Sequence, residues 1–174
     1  NHWDGKISNV RITKGQALYT GNFLPSKEDL TTTSQGAIAS NVKLLTCQSY
    51  KIQDNSDSAH TITVNGDAKP STDAPFVTSG AGSFDGTTDY LTAASSSDFA
   101  LGTGDFTIEF WAKPTAAWSP GRAVLASGTL YQTDTWSMMV ATNKLMFISN
   151  GQVSIEQASA SLSGWNHIDA VRSG

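Results

Sequence analysis

Only one residue of the 174 is cysteine, Cys47, which excludes an internal disulfide framework and leaves the redox compartment open. Basic residues are scarce too: 11 Lys and Arg against 15 Asp and Glu give a net charge of −4 and a pI near 5.2. They are spread along the chain, whereas a nucleic-acid-binding surface needs a basic cluster, so that class of partner is excluded. No apolar run approaches the ~18 residues of a membrane span, and no secretory signal pattern stands at the start. Helical periodicity is nearly absent. Its longest candidate, LPSKEDLTTTSQGAIASN, has too few apolar residues at three- and four-residue spacing to bury a stripe. It predicts a linker over 26–41 with one short turn after Pro25, where Ser26 caps and Glu28 and Asp29 fall in the first turn. An initiator Met is missing as well, and the chain opens and stops beside strand-like runs, as expected of a window cut from something longer.

What is present is strand. Hydrophobic residues make up 39% and charged residues 15%, a composition suited to a packed domain with a surface of Ser, Thr, Asn, Gln and Gly. Ten short segments read as strands: 6–13, 42–49, 61–66, 82–93, 106–114, 123–128, 136–141, 144–149, 153–158 and 165–173. Tight turns around Asn143 and at Asn150-Gly151 predict a three-stranded antiparallel meander from Trp136 to Ala158. Ten strands with almost no helix predict an all-β antiparallel sandwich, a jelly roll. Within FTIEFW, Phe106, Ile108 and Phe110 share one face, and Thr107, Glu109 and Trp111 the other. Large apolar residues on both faces predict a central strand, covered by the opposite sheet on one side and partly by a loop on the other, with Trp111 as a packing residue.

The run SFDGTTDYLTAASSSDFALGTGDFTIEFWAKP, followed by GWNHIDAVRSG, resembles the laminin-G-like, concanavalin A-like lectin and glucanase jelly-roll modules of bacteriophage and marine-virus virion proteins. HWDGKISNVRITKGQALYTGNFLP is similar to the closing strands of such a module. The resemblance implies a tandem array sampled out of phase: residues 1–25 close a preceding module, 26–41 link, and 42–174 form a second module without its closing strands. It also implies a virion, extracellular location.

Enzymatic chemistry finds little support in the residues. Glycoside hydrolysis needs two carboxylates at a fixed separation. The Glu-x-Asp-x-x-Glu run of the retaining glucanases that this fold resembles has no counterpart here: Glu109 is flanked by Thr107 and Trp111, and Glu28, Glu156 and Asp169 stand in unrelated segments. For calcium, DNSDSAH spaces Asp54, Ser56 and Ser58 at alternate positions but lacks an EF-hand's glycine and terminal glutamate. Asp85 and Asp89 are the remaining candidate calcium ligands, against the alternative that Asp85-Gly86 builds a turn and Asp89 accepts backbone hydrogen bonds. His2, His60 and His167 lack metal spacing, Cys47 lacks a catalytic neighbour, and GTGDFT lacks the third glycine, the lysine and the helix of a phosphate loop.

Sugar recognition uses exposed aromatics that stack on pyranose faces, with oriented polar groups beside them. Trp118 and Arg122 in TAAWSPGR, with Tyr131, Gln132 and Asp134 in TLYQTDTW, are the candidates, expected to form a rim at one end of the sandwich. The sequence therefore points to a non-enzymatic virion module, from a fibre, spike or decoration protein, whose partners are host-surface glycans or other virion proteins. A purely structural spacer or cement is the alternative, and a hydrolase a third. No nucleic-acid or membrane partner is expected, and the module could be oligomeric in the particle.

Overall fold

The protein is described by a computed structural model covering residues 2–115, 122–141, 144–158 and 163–174. Twelve strands are described: β1 (Asp4–Lys14), β2 (Val42–Thr46), β3 (Ile62–Asn65), β4 (Lys69–Ser71), β5 (Ala81–Asp85), β6 (Tyr90–Ala93), β7 (Phe106–Pro114), β8 (Arg122–Ala126), β9 (Trp136–Ala141), β10 (Lys144–Ser149), β11 (Gln152–Ala158) and β12 (Asn166–Arg172). The only helical pieces among the described residues are three-residue 3₁₀ turns, Ser34–Gly36, Ala39–Asn41 and Ser97–Phe99. The fold is the expected all-β antiparallel sandwich. One six-stranded sheet runs β12-β7-β1-β5-β4, with β2 also paired to β1; facing it are a four-stranded sheet, β11-β10-β9-β8, and the separate pair β3-β6.

The core between the sheets follows from alternation. Ile7, Val10, Ile12, Phe106, Ile108, Phe110, Ile168 and Ala170 point inward from the large sheet and meet Trp136, Met138, Val140 and Phe147 of the smaller one. Strand β7 is central, between β1 and β12, and its faces divide as its sequence predicts. The meander β9-β10-β11 is also as expected. Asn150 and Gly151, at φ 50° and 74°, form its second turn and join the paired residues Ser149 and Gln152, while the turn residues 142–143 lie outside the described residues.

Three departures matter for function. First, segment 82–93 is two strands: the turn after Asp85 sends β5 into the large sheet and β6 to β3. Second, a division at residues 25 and 41 does not divide this sheet. Instead of belonging to a separate module, β1 pairs with β7 along its length, and its other edge is shared by β5 (Asp4–Ile7) and β2 (Val10–Thr13). A bulge lets it serve both neighbours. Asn9 takes φ 53° and donates its N–H to the Cys47 carbonyl, which restores Val10 and Ile12 to the core face after Ile7. Third, residues 26–41 are not a free linker. Leu30, Ala37, Val42 and Leu45 form a second small core, with Leu18 against it, that ties the segment to the outer face of the large sheet. The Asn9 amide holds it there, accepting from Leu30 N at 2.6 Å and donating to Asp29 at 3.0 Å. The turn at Ser26 does form, its hydroxyl accepting from Glu28 N, but no helix follows.

Candidate functional site

The outer face of the large sheet carries a sealed polar network. Arg11 follows Val10 and precedes Ile12, so alternation turns it outward, beside Glu109 on the neighbouring strand. Both side chains are fully buried. Arg11 Nε and Nη2 donate to Glu109 Oε1 at 2.8 and 2.6 Å, and Nη1 donates to the carbonyls of Thr31 and Ser34 in the strap above. Glu109 Oε2 accepts from the Tyr19 hydroxyl at 2.7 Å and lies 3.2 Å from His167 Nε2. Burial alone would push the Glu109 carboxyl up. The His167 hydrogen bond, the Arg11 charge and the Tyr19 bond outweigh it and hold the group below the usual range. Burial and the Glu109 charge raise the Tyr19 hydroxyl, which stays protonated and donates. Around this network, Trp111 meets Phe76 and His167 edge-on, each at 5.4 Å between centroids, and Tyr19 stacks on Phe23 at 3.8 Å. Trp111 is thus a packing residue, as its strand position implies.

A carboxylate pair does exist on this face, because Glu109 sits opposite Asp169 in the register of β7 and β12. No local pattern announces it, since the two are 60 positions apart and only strand pairing joins them. Their environments differ: burial first, and then the Glu109 charge, raise Asp169 above the ordinary carboxyl value. Yet Glu109 has no surface for a substrate to reach, and both of its oxygens are engaged.

The candidate calcium ligands act as turn builders. Asp85 Oδ1 accepts from the N–H groups of Thr87, Thr88 and Asp89, and these bonds, with the Thr87 hydroxyl foremost, hold its carboxyl far below the usual range. Asp89 accepts from Asp67 N and Asp85 N. Asp54 likewise serves Leu45 N, Ser56 N and His60 N. Among the described residues no group of three or more His, Cys, Asp and Glu side chains is placed to hold a metal.

The expected loop rim is only partly assembled. Trp118 lies outside the described residues. Tyr131, Gln132 and Asp134 are exposed together on the β8–β9 loop, which is tied down by Thr135 Oγ1 to the Gln132 carbonyl and by Asp134 N to Asn150 Oδ1. Arg122 does not join them. It pairs with Val140 at the far end of β8, while the loop leaves beside Ser137, and a five-residue strand separates the two by roughly 15 Å. Its Nη1 donates to the His2 carbonyl at 2.8 Å and packs over Gly86, so it anchors the N-terminal segment.

Sequence reasoning also missed a groove of about 730 Å³ between β6 and β8, floored by Trp3, Ile7, Val10, Ile12, Leu44 and Phe84 of the large sheet. This volume falls within the ~300–1,000 Å³ of ligand sites. Trp3 Nε1, on a buried residue that lines it, has no hydrogen-bond partner among the described residues. Cys47 lies in its floor, and burial pushes the thiol up to about 11. We expect Cys47 to resist a thiol-reactive disulfide at pH 8 in the folded protein and to react within minutes in denaturant. Rapid native labelling at a rate like that of free cysteine would show the groove floor to be open to solvent.

Two comparisons return nothing: no curated protein and no solved structure matches the chain. A family model does match. Described as the concanavalin A-like lectin/glucanases superfamily, of laminin G type, it covers residues 85–174, just over half of the chain.

Proposed function

Because the chain belongs to the concanavalin A-like lectin/glucanases superfamily, we propose that it is a non-enzymatic β-sandwich module that presents its loop rim to glycans. The observation that carries the non-enzymatic part is the sealing of Glu109. Both glycosidase mechanisms need two carboxyl groups flanking one scissile bond, and a side chain closed in by Arg11, Tyr19 and His167 cannot flank it. The rim has the chemistry of a sugar contact: Tyr131 is 54% exposed, and the Gln132 and Asp134 side chains stand beside it on a tied-down loop. The setting in which we place the module is a virion fibre, spike or decoration protein at the host surface, following the resemblance of its strand sequences.

A glycan array on the protein tests this. Binding at micromolar to millimolar concentration is expected, weakened about tenfold by Tyr131→Ala, a loss of about 1.4 kcal/mol. Release of reducing ends from any oligosaccharide would make the protein an enzyme. Failure of every glycan at millimolar concentration would favour a structural spacer, which one observation supports: edge strand β11 leaves Val153 and Ile155 half exposed. In that case concentration-dependent assembly would be abolished by Val153→Lys and Ile155→Lys together.

A further inference from the structure

The segments that build the loop rim, 127–135 and 149–152, hold a single charged side chain, Asp134, and no Lys or Arg. Arg122, the cation expected there, stands at the far end of β8. Asp134 is exposed, and among the described residues its carboxylate accepts no hydrogen bond and meets no basic side chain, unlike Asp73, paired with Lys113, or Glu156, paired with Lys144. Only its N–H is engaged, donating to Asn150 Oδ1 at 2.8 Å. Tyr131 is anchored one residue further along the same turn: its carbonyl lies against Gly151, where an added Cβ would stand 2.9 Å from it. Consecutive Cα atoms are about 3.8 Å apart, so the exposed ring and the exposed carboxylate start from neighbouring points and are within reach of one sugar residue.

We propose, resting on the glycan reading of this rim, that its ligands are amino sugars with a free, protonated amine. The ammonium group pairs with the Asp134 carboxylate and lies against the Tyr131 ring, whose face attracts cations. The Gln132 side-chain amide takes a neighbouring hydroxyl as donor or acceptor. An acetylated amine has no charge to pair and keeps only the stacking and the hydrogen bonds. A uronate or other acidic sugar is repelled, by Asp134 at contact and at longer range by a chain of net charge −4. An exposed ion pair and an exposed ring contact each contribute a few-fold, which sets the preference for the free amine over the acetylated one at about five- to tenfold.

The test titrates the whole chain with β-1,4-linked tetramers of glucosamine, N-acetylglucosamine and glucuronate at about pH 6, below the range in which such an amine loses its proton. The glucosamine tetramer is expected to bind about five- to tenfold more tightly than the acetylated one, with the uronate weakest. Asp134→Asn should bring the first two affinities together, and salt at about 1 M should do the same by screening. Tyr131→Ala should weaken both. Equal affinity for the free and acetylated tetramers in the unchanged protein would overturn the proposal and leave the glycan reading standing, as would an amine preference that survives Asp134→Asn or tightest binding of the uronate. Failure of all three at millimolar concentration would also overturn it, whereas the wider glycan reading falls only if every sugar of the array fails too.

Discussion

Replacing Arg11 by Met is expected to cost about 3–5 kcal/mol of folding stability, a large share of the 5–15 kcal/mol available to an ordinary domain. The loss is not the value of the Arg11–Glu109 attraction. It arises because Glu109 stays buried with its charge inadequately paired, and because the Thr31 and Ser34 carbonyls lose their donor. The double variant Arg11→Met, Glu109→Leu should therefore recover much of what the single variant loses, a non-additive outcome that a double-mutant cycle in urea would read directly. A loss below about 1 kcal/mol for Arg11→Met alone would mean that water reaches the pair and that the strap over 26–41 does not seal it.

The same network gives stability an acid limb. The carboxyl of Glu109 is depressed in the folded state, so the unfolded chain binds more protons as pH falls and stability falls with it. Its contribution is complete above the unfolded value near 4.3 and is lost as pH drops through the folded value. Asp169 works in the opposite direction. Its raised carboxyl favours the folded state at low pH, an advantage lost as pH rises through the unfolded value toward the folded one. The depressed group carries two protein donors and an arginine, so Glu109→Gln should flatten the decline below pH 5, and Asp169→Asn should steepen it.

How much of this was legible in the sequence depended on the range of the interaction. The two faces of β7 and the Asn150-Gly151 hairpin follow from residues a few positions apart, and both stand as expected. Arg11 was invisible because its partner is 98 positions away and only the β1–β7 register brings them together. The bulge at Asn9 compounds this: a simple alternation from Ile7 would turn Arg11 inward and Val10 outward, and one αL residue reverses both. Residues 24–41 lack a helical stripe, as the composition implies, but absence of periodicity does not make a segment free. Leu30 is entirely buried by packing that no local pattern announces. The rim failed at Arg122 for a related reason: nearness in sequence to the aromatic loop residues meant the length of a strand in space.

Gly5→Ala should be nearly as damaging as the loss of Arg11, at about 4 kcal/mol, and it tests the placement of β1 more sharply. Gly5 has φ +144°, a region open essentially to glycine alone, and it lies opposite Pro114 in the β1–β7 register. A Cβ there would stand 2.4 Å from the Lys113 carbonyl oxygen and 2.8 Å from the Pro114 Cα. Both are backbone atoms of the central strand, which is held on its other edge by β12 and cannot yield without disturbing the core. Gly36 provides the control: it too has a left-handed φ, +80°, but no atom lies within 4 Å of the site of a new Cβ, so Gly36→Ala should cost only about 1–2 kcal/mol of backbone strain. The difference between the two in urea reads the steric contact between β1 and β7 together with the more forbidding backbone region that Gly5 occupies. Equal costs would remove β1 from the middle of the sheet. They would also remove the Arg11–Glu109 seal, which exists only because that strand lies there.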